Sequence, residues 1–368
     1  MKRWGWFSAL AICLVLAISL TTGIRGQAQA PAYHQIALIK LPNVPPSKGN
    51  FTYDISWVDP ATHRYYLTDR ANNGIDVIDT ATNRYLYTMA QGRFRGFSGK
   101  PDTSGPNGIV VAGQQAWVRD DSSRVKVLDI RAGLILATIV TGGADGNRAD
   151  ELAYDPVDHL IVIANDADDP PFLSFISTTD RRVAGKIMYP DATDGLEQPV
   201  YDPASGMFFQ NVPQTKANPG GRVDKIDPKT MKIVASYPVN NCHPGGLALG
   251  PQQHLLLGCS NLYPGVHAQS LVMDSRTGQV IATITQVGGS DQVWYNPGDN
   301  HYYLAARGMT ATGMKGGPVT PVLGIVDAAT NQWIQNVPTG NGAHSVAADP
   351  ANNRIYVPVP DGIAVFSK

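Results

Sequence analysis

The chain has 368 residues, with 29 Lys and Arg against 30 Asp and Glu, and only 16% of its side chains are charged. A near-neutral, slightly acidic balance excludes the basic surface that nucleic-acid binding needs. The 37 Gly and 27 Pro make it turn-rich, as many short strands joined by tight turns would be.

At the N-terminus Lys2 and Arg3 precede an apolar run from Trp4 to Leu20 and then small residues in GQAQA. This is the pattern of a secretory signal peptide, residues 1–28, with Ala28 the expected cleavage point because a cut after Ala30 would leave Pro31 first. A retained anchor is the alternative. Cys13, inside the apolar run and preceded by Ile12, does not suit a lipoprotein site. Cleavage removes Lys2, Arg3 and Arg25 and no acids, so the mature domain, 29–368, has 26 basic and 30 acidic residues and a charge of −4. It is expected to be secreted or periplasmic, with no stable membrane span once the leader is gone.

From His34 the stretch HQIALIKLP alternates like a strand. Hairpins then follow in pairs. The first of each pair reads SWVDPATHRYYLTD from Ser56, GIVVAGQQAWVRD from Gly108, LAYDPVDHLIVIAND from Leu152, PVYDPASGMFFQN from Pro199, LALGPQQHLLLGCS from Leu247, VWYNPGDNHYYLAA from Val293 and VAADPANNRIYVPV from Val346. The second begins at Gly74, Arg124, Phe172, Arg222, Ser270 and Val322. Their turn positions Asp79, Asp129, Ser177, Asp227, Asp274 and Asp327 are spaced by 50, 48, 50, 47 and 53 residues. A period near 50 with strand patterning predicts an all-β, seven-bladed β-propeller of four-stranded antiparallel blades. The seventh unit ends at GIAVFSK without an outer strand, and the strand at His34 is expected to supply it, closing the ring and removing its exposed edges.

Cys242 and Cys259 fall in one unit on neighbouring strands. In an oxidising compartment they are expected to form a disulfide; two reduced buried thiols are the alternative. A zinc site is not indicated by two such cysteines.

Alignment of the seven first hairpins places Asp54, Asn107, Asp150, Glu197, Gly245, Asp291 and His344 just before the innermost strands, so they should ring one mouth of the central channel. Two residues earlier the column reads Thr52, Gly105, Arg148, Gly195, His243, Gly289 and Gly342, one layer higher on the same face. Carboxylates about 6 Å apart repel by roughly 3 kcal/mol at an effective dielectric near 20. A cation, raised pKa values or channel water must relieve that repulsion. A divalent cation is expected, held by Asp54, Asn107, Asp150, Glu197, Asp291 and His344. Carboxylates with imidazoles suit zinc, manganese or iron(II); carboxylates with Asn107 and water suit calcium. The alternative is solvated polar side chains at a wet mouth.

The turns away from the ring are short and those on its side are long, notably at Gln91, Asp166, Val212, Ser260 and Arg307. Long loops on one rim of a rigid scaffold are where binding is usually placed. Arg70, Arg93, Arg95, Arg119, Lys216, Tyr263, His267 and Arg307 are either ligand contacts or ordinary loop side chains. Asp166, Asp168 and Asp169 are a weaker candidate for a separate calcium site. His63, His159 and His254 belong to the short-turn side and are expected to face solvent. No phosphate loop, G-x-S-x-G elbow, H-E-x-x-H or haem motif occurs, so nucleophilic serine catalysis is not indicated.

GIDVIDTATNRYL, HPGGLAL and the VIDxxT-type turns resemble the YVTN-repeat β-propellers over essentially the whole mature chain. More distantly the chain is similar to gluconolactonase- and paraoxonase-like propellers, in which acidic and Asn residues of several blades hold a divalent cation at the channel mouth. That likeness implies a metal-dependent hydrolase or lyase of a small ester or lactone. Within the ring, Glu197 or Asp150 would bind the metal with Asp291 and His344, Glu197 and His243 are the catalytic candidates, and His243, one layer above, is best placed as general base on water. The second reading is a non-catalytic propeller that binds a small molecule, or a protein through its long ring-side loops.

Overall fold

The computed structural model describes residues 1–2, 32–42, 52–143 and 146–368, and the expected leader lies outside them except for its first two residues. The chain divides into Met1–Ala32, of which only Met1, Lys2 and Ala32 are described, and Tyr33–Lys368. The second unit is a seven-bladed propeller. Six blades of four antiparallel strands run in sequence order, spanning 53–89, 109–140, 152–188, 199–238, 244–284 and 293–338. The seventh has three strands of its own between 347 and 367, and His34–Ile39 pairs with Gly362–Ser367 as its fourth. Closure by the N-terminal strand is as the alternation predicted. Tyr33 fastens the seam further, its amide donating to Gln335 Oε1 at 2.9 Å and its hydroxyl 2.7 Å from His301 Nδ1.

Each blade is buried at its inner strands and half exposed at its outer one, so the core is distributed. Seven apolar clusters occur, one between each pair of neighbouring blades, including the pair of the seventh and the first. Trp117 packs with Ile161 and Ile163 between the second and third blades, and Phe175 meets Phe208 at 6.4 Å between the third and fourth. Burying both faces of every sheet in this way is what a single four-stranded unit cannot do alone.

The recurring Asp at strand ends acts through turn chemistry. Asp129 accepts the amides of Arg131 and Ala132 at 2.8 Å, and Asp327 those of Ala329 and Thr330 at 2.9 and 2.8 Å. The fifth residue of such a turn then lies in the left-handed region, usually Gly, Asn or His. Arg181 is an exception, at φ 53°. A left-handed residue with a Cβ costs about 1–2 kcal/mol, and glycine gives back part of that in unfolded-chain entropy. Arg181→Gly should therefore stabilise the protein by about 0.5–1 kcal/mol, read as a small rise in Tm by calorimetry. A fall would mean that the Arg181 side chain contributes more than the turn costs.

Candidate functional site

Four members of the ring column are held on equivalent rungs. The amides of Asn107, Asp150, Glu197 and Asp291 donate to the carbonyls of Arg119, Ala164, Asn211 and Ala305, at the ends of the adjacent strands, at 2.8–3.2 Å. One residue further on, side chains tie blades together beneath the ring. Gln198 Oε1 accepts the amides of Leu247 and Val293 at 2.9 and 3.3 Å; Gln292 Oε1 accepts from Ser345 Oγ at 2.6 Å and Val346 N at 3.0 Å. These glutamines floor the acidic mouth.

Glu151 occupies the same offset in the third blade, and the sequence reading passed over it. Its carboxylate oxygen, with one from Glu197 and one from Asp291, forms a group lying within 4.8 Å of one another. Burial pushes the Glu151 and Glu197 carboxyls well above their ordinary range, and the neighbouring carboxylates add to the effect. Two expected ligands, Glu197 and Asp291, thus meet a third that was not expected.

The remaining ring members are directed elsewhere. Arg70, read as a loop residue, is buried and pairs with Asp54. It also donates to Asn107 Oδ1 from Nε at 3.2 Å and Nη2 at 2.6 Å, while Asn107 Nδ2 donates to Ala149 O at 3.0 Å. Arg148, one layer above, binds Asp150 at 2.7 Å and Asp166 at 2.9 Å and stands 3.9 Å from Asp54. His344 stacks on Tyr53, with ring centroids 4.8 Å apart, and its Nε2 is 3.3 Å from Asp54 Oδ1. Arg307, half exposed on the rim, holds Asp291 at 2.8 Å. Arginines thus relieve much of the repulsion that the sequence reading referred to a cation, raised pKa values or water.

Electrostatics divides the ring. Burial would raise Asp54, but Arg70 chiefly, with His344 and Arg148, holds it well below the usual carboxylate range. For Asp150 burial prevails over Arg148 and pushes it up to about 8. Arg119, also expected in a loop, is instead wholly buried, and burial draws it down to about 9, so it remains a cation at neutral pH. Its three guanidinium nitrogens, Asp150 Oδ1 and Asp166 Oδ1 have no hydrogen-bond partner within the described residues. Buried polar atoms of this kind are normally satisfied by water or ligand. Counting Asp54, Asp150, Glu151, Asp166, Glu197 and Asp291 against Arg70, Arg119, Arg148 and Arg307, the fully ionised mouth carries −2.

Other loop candidates are spent on local bonds. Lys216 donates to Pro190 O at 2.8 Å and Tyr263 to Pro219 O at 2.9 Å, while His267 Nδ1 lies 2.9 Å from Thr285 O. Asp166 serves Arg148, and Asp168 accepts from Ser123 and Asn147 at 3.2 Å, so neither joins the three-carboxylate group. On the short-turn side His63 and His159 are exposed or nearly so. His254 is buried, its ring 3.4 Å from Asn331 Nδ2, contrary to the solvent-facing expectation.

Cys242 and Cys259 are bonded as a disulfide. In the antiparallel register Pro244 faces Cys259, so His243 faces Ser260, with Nδ1 2.9 Å from Oγ. His243 Nε2 is 2.7 Å from Asp194 Oδ2. The disulfide was legible in sequence and this contact was not.

At the opposite end the channel opens into a cavity of about 330 Å³ walled by apolar and aromatic side chains, among them Trp57, Tyr154, Tyr201, Trp294 and Tyr295. Among the described residues no helix is long and apolar enough to cross a membrane.

No protein-family model matches the chain, and no curated protein sequence does. Among solved structures it is similar to hydrazine synthase of Kuenenia stuttgartiensis, with a TM-score of 0.68 at 15% identity over 86% of this chain and 95% of that one. At that identity the likeness is one of fold.

Proposed function

We propose that this is an exported propeller of the YVTN-repeat kind that holds a divalent cation on Glu151, Glu197 and Asp291 and acts on a small ester or lactone. The observation that carries the reading is the convergence of three carboxylate oxygens within 4.8 Å in a mouth of formal charge −2. One divalent ion, or two protons, would bring that charge to zero. An all-oxygen donor set without imidazole suits a hard cation, calcium or manganese, better than zinc. When bound, such an ion supplies a Lewis acid for a carbonyl oxygen. Around it, the half-exposed Arg307 would receive an anionic or carbonyl group arriving from solvent, and His243 would serve as base. Export is supported by the leader pattern and the disulfide.

The pH dependence separates ion from protons. A carboxyl whose folded pKa is raised costs no stability below its unfolded pKa, about 4, and progressively more as pH rises toward the folded value. With Asp150 at about 8 and Glu151 and Glu197 raised, the chelated protein should lose Tm between pH 5 and 8. Added calcium or manganese should flatten that loss, and Glu197→Gln should abolish the metal response while raising the metal-free Tm at pH 8. Elemental analysis after dialysis gives the stoichiometry, about one ion per chain. No ion and no metal-dependent Tm would remove the cation from the reading.

A second reading, a non-catalytic binding propeller, is favoured by the aromatic cavity at the far end, where Trp57 and Trp294 meet edge-on at 5.1 Å. It predicts that Glu151, Glu197 and Asp291 can be neutralised together with ligand or partner binding intact.

A further inference from the structure

We propose that Ser260, His243 and Asp194 form an acyl-transfer site at the rim of the channel, with Ser260 as nucleophile. The proposal takes its substrate class from the ester or lactone reading and does not rest on the cation.

The three residues come from separate segments fixed independently. Asp194 lies in the connection between the third and fourth blades, where the amide of Thr193 donates to Gln214 O at 3.1 Å and Gly195 turns the chain at φ 64°. His243 lies between the fourth and fifth blades, its amide donating to Gly220 O at 2.9 Å. Ser260 follows the second strand of the fifth blade, and its amide donates to His243 O at 3.0 Å. The Cys242–Cys259 bond joins the two segments one residue away from the contact.

The hydrogen bonds assign the tautomer. An ionised Asp194 only accepts, and its hydrogen bond with His243 holds it below the ordinary carboxylate range. The proton of the neutral ring therefore sits on Nε2, 2.7 Å from Asp194 Oδ2. That leaves the Nδ1 lone pair facing Ser260 Oγ at 2.9 Å. The hydroxyl has a second acceptor, His243 O at 2.8 Å, so it rotates between a resting bond and the base. Asp194 is exposed and acts as a positioning residue; His243 is only 11% exposed, with its backbone in the left-handed region at φ 54°. A non-glycine residue there is strained and is retained when its surroundings over-determine it.

The site opens on the ring. Gly245 is the ring member without a side chain, and the place its Cβ would occupy is 3.3 Å from Ser260 Cβ and 3.7 Å from Asp291 Cα. Ser260 Cβ is thus no more than about 7 Å from Asp291 Cα, and Arg307 sits on the Asp291 carboxylate at 2.8 Å.

The chemistry balances as a two-step hydrolysis. Ser260 Oγ bonds to the carbonyl carbon while its proton passes to Nδ1. The ester C–O bond breaks and the departing alkoxide takes that proton. Water then gives a proton to Nδ1 and its oxygen to the carbon, and Oγ leaves with the proton. An ester and water become an acid and an alcohol; with a lactone the alcohol stays attached.

The test is covalent labelling of the mature, oxidised protein with an alkyl fluorophosphonate, mapped by peptide mass spectrometry, with and without chelator. We expect an adduct on Ser260, absent in Ser260→Ala and unaffected by chelator. The labelling rate should fall at least about 100-fold in His243→Asn, a variant that tolerates the left-handed backbone. It should also fall in Asp194→Asn and recover in part in Asp194→Glu, which a purely structural role would not reproduce. An unlabelled Ser260 in protein of parental Tm overturns the proposal, as does labelling that His243→Asn leaves unchanged. Ester hydrolysis that chelator stops and Ser260→Ala spares would overturn it while leaving the cation reading intact. Labelling that persists in protein shown to bind no metal would support it and remove the cation.

Discussion

Arg148→Met should cost the protein most of its stability at pH 8 and markedly less at pH 5. Arg148 touches Asp150 at 2.7 Å and Asp166 at 2.9 Å, approaches Asp54 and Asp102 at 3.9 Å, and is only 15% exposed. Removing one partner of a buried ion pair costs about 3–5 kcal/mol, because the charge left behind has no compensation. Two carboxylates are left here, against a total stability of about 5–15 kcal/mol. Burial already pushes Asp150 and Asp166 up, and Arg148 is the chief opposing influence on both. Without it they remain protonated in the folded state to higher pH, so the folded protein binds protons that the unfolded chain releases. Stability then falls as pH rises from about 4. Denaturant unfolding at the two pH values measures the difference. An equal loss at both would mean that Arg148 contributes packing and not charge.

Loss of the disulfide should be the second large effect. Cys242 and Cys259 are both fully buried and close a loop of 17 residues, for which the chain-entropy account gives about 3 kcal/mol. The double variant Cys242→Ala, Cys259→Ala should unfold at correspondingly lower denaturant, with a further loss from cavities beside Leu247, Leu257 and Leu271. The same variant should label slowly with fluorophosphonate even where it is folded, since the bond holds His243 against Ser260. Parental labelling in the folded variant would show that the backbone bonds around His243 O suffice.

The propeller was legible because its signal is periodic. A strand repeat near 50 residues fixes blade number, and an unpaired last hairpin with a matching stretch at His34 fixes the closure. The ring column was legible for the same reason: Asn107, Asp150, Glu197 and Asp291 sit on one rung of a repeated ladder. What decides the chemistry is not periodic. Glu151 stands one residue out of phase, before the chain has entered the strand, where alternation no longer says which way a side chain turns. The offset it shares with Gln198 and Gln292, both polar at the start of an inner strand, was the available signal. Arg70 and Arg307 reach inward from the ends of second strands, a matter of side-chain length that a pattern does not carry. Ser260 had no such cue, since its contact with His243 follows from the register that sets Pro244 opposite Cys259, which the cysteine spacing does not give. Asp194 had none, because its place depends on a loop outside the repeat.

The seam has a temporal consequence. His34 pairs with Ser367, 333 positions later, so a ribosome adding about 5–20 residues per second leaves the first strand waiting on the order of half a minute for its partner. Each blade needs a neighbour to bury its faces, and no smaller number of blades makes this circle. Until Gly362–Ser367 is made, His34–Ile39 has no strand to pair with, and the ring has no means of closing. Anything that interrupts synthesis in the last blade leaves a chain almost complete in length yet unsealed, and it is this species that chaperones and proteases would be expected to meet.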